Sequence, residues 1–116
     1  MIEELIVYQK VYDFLLWVKP TVQRFQKVHK FSLGVSLENS VLDLLKSIVK
    51  ANNSKDKVAL ISDCFICFEV VKVFIRLSRD FRLLTVKQFE FSSSKLVEIN
   101  RLLNGWSKKF CVGSGV

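Results

Sequence analysis

Cysteine and histidine are the residues of this chain that most directly suggest chemistry. Cys64 and Cys67 have the C-x-x-C spacing of zinc and redox sites. A structural zinc needs four ligands, however, and His29 and Cys111 provide no second ligand pair. A thioredoxin-like site would need a strand before the motif, and the sequence has no strand pattern there. We interpret the two cysteines as reduced residues of a helical core, and we predict neither a metal nor another cofactor.

The remaining residue types do not assemble an active site either. His29 has no acid nearby to orient it as a general base, because the chain contains no acid between Asp13 and Glu38. The four glycines stand singly or near the C-terminus, so no phosphate-binding loop is present. The sequence also lacks the Glu-x-x-His pair of a di-metal bundle. We therefore predict that the protein is not an enzyme.

Charge is the more informative feature. Lysine and arginine number 18 against 11 acids, a net charge of +7, which favours nucleic acid, an anionic membrane or an acidic protein as partner. One basic stretch without acids lies between Asp13 and Glu38, and another follows Glu98. These stretches indicate a polyanion-binding surface, with ordinary solvated helix faces as the alternative.

Aromatic residues are interleaved with these cations, as in Arg24-Phe25, Lys30-Phe31, Phe81-Arg82 and Trp106 before Lys108. The arrangement suits phosphate contacts supported by base stacking. Taken singly, each aromatic is better explained as a core residue at helical spacing. The candidate residues for binding nucleic acid or a partner are Arg24, Lys27, His29, Lys30, Lys72, Arg76, Arg79, Arg82, Lys87, Arg101, Lys108 and Lys109.

Helices must position these side chains, because glycine is scarce and Pro20 is the only proline. The first predicted helix covers residues 5 to 18. Pro20 is expected to kink it or to start a new segment that runs on through Phe25. Its predicted inward face is Tyr8, Val11, Tyr12, Leu15, Leu16 and Val18.

The second predicted helix has one apolar face, formed by Leu33, Leu37, Val41, Leu44, Leu45, Ile48 and Val49. Asn52-Asn53-Ser54 should end it, since these residues can enter the left-handed region and cap the following helix.

The third predicted helix, residues 55 to 79, has an apolar arc about twice as wide as a bundle position needs. The surplus suggests a subunit interface, with simple central burial as the alternative. Lys72, Arg76 and Arg79 form a stripe on its polar face. Asp63 lies inside the apolar arc, so it should pair with a cation or lie near the exposed start of the helix.

The fourth predicted helix begins at Thr85, which forms a capping-box pattern with Gln88, and Gly105 is expected to end it. Its inward residues are Phe89, Leu96, Ile99, Leu103 and Trp106, and its solvated residues are Lys87, Glu90, Ser94, Glu98 and Arg101. The predicted fold is all-α: an up-and-down four-helix bundle over residues 1 to 110, with a flexible tail at 111 to 116.

Location can also be predicted from the sequence. The chain opens with acids where a secretory signal is basic. Its longest apolar stretch, residues 58 to 77, contains four charged residues that would be costly in a bilayer. We expect a cytoplasmic protein with no membrane partner.

Three segments in order resemble a known family: Arg24-Phe-Gln-Lys-Val-His-Lys-Phe-Ser-Leu-Gly34, Asp80-Phe-Arg-Leu-Leu-Thr-Val-Lys-Gln-Phe89 and Ile99-Asn-Arg-Leu-Leu-Asn-Gly-Trp106. They are similar to the accessory variability determinant proteins of diversity-generating retroelements and to the related four-helix proteins of ribosomal RNA intervening sequences. The likeness extends from about residue 5 to residue 108. Gln26 replaces a proline common in the family, and Asn104 replaces a frequent glycine.

The resemblance implies a small basic bundle that assembles into a pentameric barrel and binds the retroelement's reverse transcriptase, RNA and DNA. Because phosphate contacts carry no sequence information, we expect little sequence specificity. The resemblance further implies a non-enzymatic role in mutagenic retrohoming, in a bacterial, archaeal or phage-encoded system. The intervening-sequence branch, or a bundle that binds an acidic protein and no nucleic acid, is the alternative.

Overall fold

The computed structural model describes residues 5 to 111, and this part of the chain is helical with no strand. The long helices are α1 (Ile6–Gln23), α3 (Val35–Asn52), α4 (Lys57–Asp80) and α5 (Val86–Cys111). A short helix α2 (Lys27–His29) and a π-helical turn (Lys30–Gly34) lead directly into α3. The predicted all-α class is confirmed.

The four long helices form an elongated bundle of 48 × 21 × 21 Å. Each packs against two others, in the cyclic order α1, α3, α4, α5. Because the connections are short, consecutive long helices run antiparallel, and the predicted four-helix bundle is confirmed. Its fully buried centre is apolar and includes Val11, Val18, Leu44, Ile48, Phe68, Val71, Ile99 and Leu103.

The inward face of α1 is rotated from the prediction. Val7 and Phe14 are buried, whereas Tyr12 and Leu16, predicted to face inward, are 42% and 62% exposed. The buried face is the one that carries Val7, Val11, Phe14 and Val18, and beside it the ring of Trp17 lies 5.2 Å from that of Phe91 in α5.

Pro20 does not begin a new segment, and α1 continues past it to Gln23. Pro20 itself is exposed, while Val18, Thr21 and Val22 are buried on either side of it. Packing of these neighbours holds the last turn of α1 in place although one backbone donor is missing.

The second helical stretch begins earlier than predicted, at Lys27 instead of Leu33. Gly34 explains why it can lie so close to the end of α1. A Cβ atom at this position would meet Cγ1 of Val22 at 2.7 Å. The chain therefore needs a residue without a side chain where α3 approaches α1.

The predicted end of α3 at Asn52 is correct, but its capping differs. Asn53 has φ −91°, so it does not enter the left-handed region. Instead the ammonium group of Lys57 donates to the carbonyls of Ala51, Asn52 and Ser54 at 3.2, 2.7 and 3.0 Å. Lys57 thus satisfies orphan carbonyls that a left-handed cap would otherwise serve.

The wide apolar arc of α4 is confirmed as a surplus beyond the core. Ile66, Val70 and Val73 are 62%, 41% and 53% exposed, on the side of the helix opposite the buried Phe68. Asp63 is exposed on the second turn of α4, near the helix start, and shares a groove with Lys46 and Lys50 of α3.

The capping box of α5 is confirmed. The backbone N–H of Gln88 donates to Oγ1 of Thr85 at 3.1 Å, and the backbone N–H of Thr85 donates to Oε1 of Gln88 at 2.9 Å. Gly105 does not end the helix, which continues to Cys111. Burial of Trp106 against the bundle extends α5 past the glycine. The predicted tail lies outside the described residues from 112 onward.

Candidate nucleic-acid interface

Two connections meet at one end of the bundle. The first, residues 24 to 34, joins α1 to α3, and the second, residues 81 to 85, joins the end of α4 to α5. Their contact is direct, because the ring centroids of His29 and Phe81 lie 5.5 Å apart. We call the surface formed by residues 24 to 34 and 79 to 87 the α2 end.

Most of the predicted binding residues lie at the α2 end, although they come from distant parts of the sequence: Arg24, Lys27, His29, Lys30, Arg79, Arg82 and Lys87. Acids on the same or adjoining turns are Glu38, Asp80 and Glu90. Asp80 is paired, since its Oδ1 lies 3.0 Å from Nε of Arg79. Cations exceed acids there, which gives the α2 end a positive field.

The backbone at Arg82 is in an unusual conformation. Its φ of 60° is the only positive value at a described residue other than glycine. The amide of Arg82 donates to the carbonyl of Arg79 at 2.9 Å, and the amide of Leu83 donates to that of Ser78 at 2.8 Å. These two bonds form a Schellman motif, whose left-handed position is usually glycine. Here an exposed arginine occupies that position.

Aromatic side chains are exposed beside these cations. Phe31 in the π-helical turn is 69% exposed, and Phe81 at the end of α4 is 56% exposed. The ammonium group of Lys30 lies 5.6 Å from the ring centroid of Phe31. The core interpretation holds for Phe25 and Trp106, which are each 6% exposed. It is wrong for Phe31, which lies in the π-helical turn, and for Phe81, which lies just past the end of α4.

A second cationic surface continues from the α2 end along the groove between α4 and α5. This groove contains a cavity of about 240 Å³ bordered by Lys72 and Arg76. The guanidinium of Arg79 lies 4.8 Å from the ring centroid of Phe89, which also borders the cavity. The predicted stripe of three cations therefore lines a groove. Glu69 flanks it, and its Oε2 lies 3.5 Å from Nζ of Lys72.

The other predicted residues lie elsewhere. Lys108 and Lys109 are near the opposite end of the bundle, where Nζ of Lys57 lies 5.6 Å from the ring centroid of Phe110. At a rise of 1.5 Å per residue, Lys108 is roughly 30 Å along α5 from Lys87. Arg101 lies between them and is exposed. The twelve predicted residues thus do not form one site.

Some residues of the groove were not predicted. Ser93 and Asn100 of α5 border the cavity beside Lys72 and Arg76. Their separation of seven residues places them on one helix face, which is a signal that the sequence contained. Identifying their opposite partner required knowledge of which helices are neighbours.

The C-x-x-C residues lie away from both surfaces. Cys64 is buried and Cys67 half-buried, and both are free. Burial raises the pKa of the Cys64 thiol, although a hydrogen bond with Ser47 opposes the shift. A buried thiol with a raised pKa is a poor nucleophile. No group of three potential metal ligands occurs among the described residues.

None of the described helices is both long and apolar enough to cross a membrane.

No curated protein and no solved structure matches the chain significantly. A family described as bAvd-like matches residues 5–110, which include both connections of the α2 end and the groove between α4 and α5. The chain therefore belongs to the bAvd-like family.

Proposed function

We propose that the protein is a non-catalytic accessory subunit of a diversity-generating retroelement. In this role it binds the reverse transcriptase together with template RNA and cDNA and supports mutagenic retrohoming, while the copying chemistry belongs to the reverse transcriptase. It acts in the cytoplasm. Membership of the bAvd-like family supports this assignment.

The observation that carries nucleic-acid binding is the convergence of two basic segments at the α2 end. Arg24, Lys27 and Lys30 come from the connection between α1 and α3. Arg79 in the last turn of α4 and Arg82 just past its end come from the other segment. Clustered cations favour a polyanion because each phosphate contact releases condensed counterions. Contacts of this kind fix position without reading bases, so the chain alone should show little sequence preference.

Charge reversal in matched sets tests this proposal. One variant changes Arg24, Lys27 and Lys30 to Glu, and a second changes Lys72, Arg76 and Arg79 to Glu. The control changes Arg101, Lys108 and Lys109 to Glu, an equal change of charge centred away from the α2 end.

Titration of labelled RNA at 50 and 200 mM salt should give steeply weaker binding at high salt for the wild type. Removal of one cation that contacts a phosphate should reduce the slope of log affinity against log salt by roughly 0.7 to 0.9. The first two variants should show this reduction, and the control should retain most of the wild-type slope. An equal reduction in all three would mean that net charge, and not the α2 end or the groove, governs binding.

A pull-down with the reverse transcriptase and its template RNA tests the rest of the proposal. Capture of the reverse transcriptase by the wild type is expected. RNA binding without capture would favour the intervening-sequence branch of the family. Capture without RNA binding at any salt concentration would favour a bundle that binds only protein.

The exposed ridge of α4, defined by Ile66, Val70 and Val73, is proposed as the surface through which the protein self-associates. An apolar ridge at spacings of four and three is suited to helix packing against a second copy. Resemblance to the accessory variability determinant proteins implies a pentameric ring.

Light scattering at micromolar concentration should therefore give a mass well above 13.4 kDa. Val70→Lys combined with Val73→Glu should reduce the mass to that of one chain. Leu16→Lys, a change at an equally exposed apolar residue of α1, should not. A wild-type protein that is monomeric would refute self-association.

A further inference from the structure

We propose that the α2 end binds single-stranded nucleic acid by stacking unpaired bases on Phe31 and Phe81, and that it therefore prefers single strands to duplexes. The inference rests on the proposed function, since it specifies which form of nucleic acid the α2 end recognises. Its basis is the combination of two exposed aromatic rings with surrounding cations and an irregular backbone.

The rings are available for stacking. Phe31 and Phe81 are 69% and 56% exposed, well above most aromatic residues of the bundle. One side of each is already occupied: Nζ of Lys30 lies 5.6 Å from the Phe31 centroid, and the His29 ring lies 5.5 Å from that of Phe81 at an interplanar angle of 40°. A base can approach the remaining side of each ring, and every base has a π-face suited to this contact.

Cations lie where a phosphate backbone would follow such bases. Lys27 and Lys30 precede Phe31 within one turn, and Arg79 and Arg82 flank Phe81. Asp80 is the acid next to Phe81, and it is paired with Arg79. The alternation of ring and cation matches the way non-specific single-strand binders combine stacking with a positive track.

The backbone at both rings departs from regular α-helix. Phe31 lies within the π-helical turn, and Phe81 immediately precedes Arg82 with its φ of 60°. Both aromatic side chains are exposed at these departures. Irregular backbone of this kind costs stability, so it is retained mainly where it serves a function.

A duplex cannot use these rings in the same way. Its bases are already stacked on each other, and side chains reach only their edges through the grooves. Cations alone would contact phosphates of either form and would release fewer counterions from a single strand, so they would not favour single strands. Stacking is therefore the feature that distinguishes the two forms.

The test compares Phe31→Ala, Phe81→Ala and the double variant with Phe110→Ala. Phe110 is a matched control, since it is a surface aromatic with a lysine ammonium also 5.6 Å from its centroid, at the opposite end of the bundle. A poly-U oligonucleotide and a fully paired RNA duplex of equal length are the two probes. Thermal denaturation confirms that each variant is folded, and Phe31→Trp with Phe81→Trp tests rescue by another stacking residue.

We expect each alanine variant to weaken single-strand binding by roughly five-fold or more. The slope of log affinity against log salt should stay the same, because the cations that contact phosphates are unchanged. Duplex binding should change by less than two-fold, and tryptophan should restore affinity. Phe110→Ala should bind both probes like the wild type.

Three results would overturn the inference: single-strand affinity unchanged in the double variant, equal weakening for both probes, or a wild-type protein that binds duplex more tightly than single strand. In each case RNA is still bound, so the proposed function stands. Absence of RNA binding by the wild type is a different result, which refutes the proposed function itself.

Discussion

Substitution of Gly34 by alanine is the most direct test of how α3 is placed against α1. Gly34 has φ −61° and ψ −47°, so its backbone is helical and any residue could adopt it. What the position requires is the absence of a side chain. A Cβ atom would lie 2.7 Å from Cγ1 of Val22 and 3.4 Å from Cδ2 of Phe25. Val22 is 2% exposed and β-branched, so it has little freedom to move aside.

Gly105 provides the reference for the magnitude. It also lies inside a helix, but a Cβ atom there would meet nothing within 4 Å. Gly105→Ala should stabilise the protein by about 1 kcal/mol through helix propensity alone. Gly34→Ala gains the same contribution but adds an overpacking cost of roughly 1 to 3 kcal/mol. The free energies of unfolding of the two variants should therefore differ by about 1 to 3 kcal/mol, with Gly34→Ala the less stable.

Urea denaturation followed by circular dichroism measures both variants against the wild type. Equal slopes with denaturant concentration would show that only stability has changed. For a chain of this size, the difference corresponds to a separation of melting temperatures of roughly 4 to 12 °C. If Gly34→Ala were as stable as Gly105→Ala, the close approach between α3 and Val22 would be wrong.

Three further predictions concern single residues. Arg82→Gly should raise the free energy of unfolding by about 1 kcal/mol, because glycine adopts a positive φ without strain. The same change should weaken RNA binding. A lower melting temperature for this variant would contradict the left-handed conformation of Arg82. Thr85→Ala should lower the free energy of unfolding by about 1 kcal/mol, because it removes the hydrogen bond to the Gln88 amide, whereas Thr85→Ser should not. Burial raises the pKa of the Cys64 thiol in the folded protein. As pH rises, the unfolded chain therefore loses the thiol proton at a lower pH than the folded chain does. Stability should then decline with pH in urea titrations, and Cys64→Ala should remove that decline.

The helices of this fold could be predicted because their signals are local. The Leu37, Val41, Leu44 and Ile48 face repeats at spacings of four and three, and all four residues are 0–1% exposed. The capping box of Thr85 is a four-residue signal that needs no tertiary contact. These predictions are correct because the packing of the bundle favours the same helices and caps as the local sequence does.

The errors arose where packing overrides local preference. Glycine commonly ends helices, yet α5 continues past Gly105 because the next residue, Trp106, is buried against the bundle. Tyr12 and Leu16 are apolar enough for the core, but α1 packs against α3 and α5 through Val7, Val11, Phe14 and Val18, so Tyr12 and Leu16 face outward. In both cases the deciding partner lies on another helix, which periodicity cannot identify.

The candidate site was predictable in composition but not in arrangement. Some of the cations were found in the sequence because they occur in stretches without acids, and Lys72, Arg76 and Arg79 were found because their spacing places them on one helix face. Their grouping depends on the contact between His29 and Phe81, residues 52 positions apart in the chain. From the sequence alone, Lys108 and Lys109 are as good candidates for binding as Lys27 and Lys30. The bundle places the two pairs at opposite ends.

The two ends of the bundle also differ in how their connections are made. At the end opposite the α2 end, the turn after α3 keeps negative φ values, and Lys57 supplies the donors that the last carbonyls of α3 need. The α2 end instead has a π-helical turn and an arginine with φ 60°. A bundle of this kind can evidently join antiparallel helices without strained backbone, so connectivity alone does not require the strain at Arg82. Strain retained at a cationic, aromatic surface is expected where binding, and not stability, determines the residue. For this reason Arg82→Gly should change stability and RNA affinity in opposite directions.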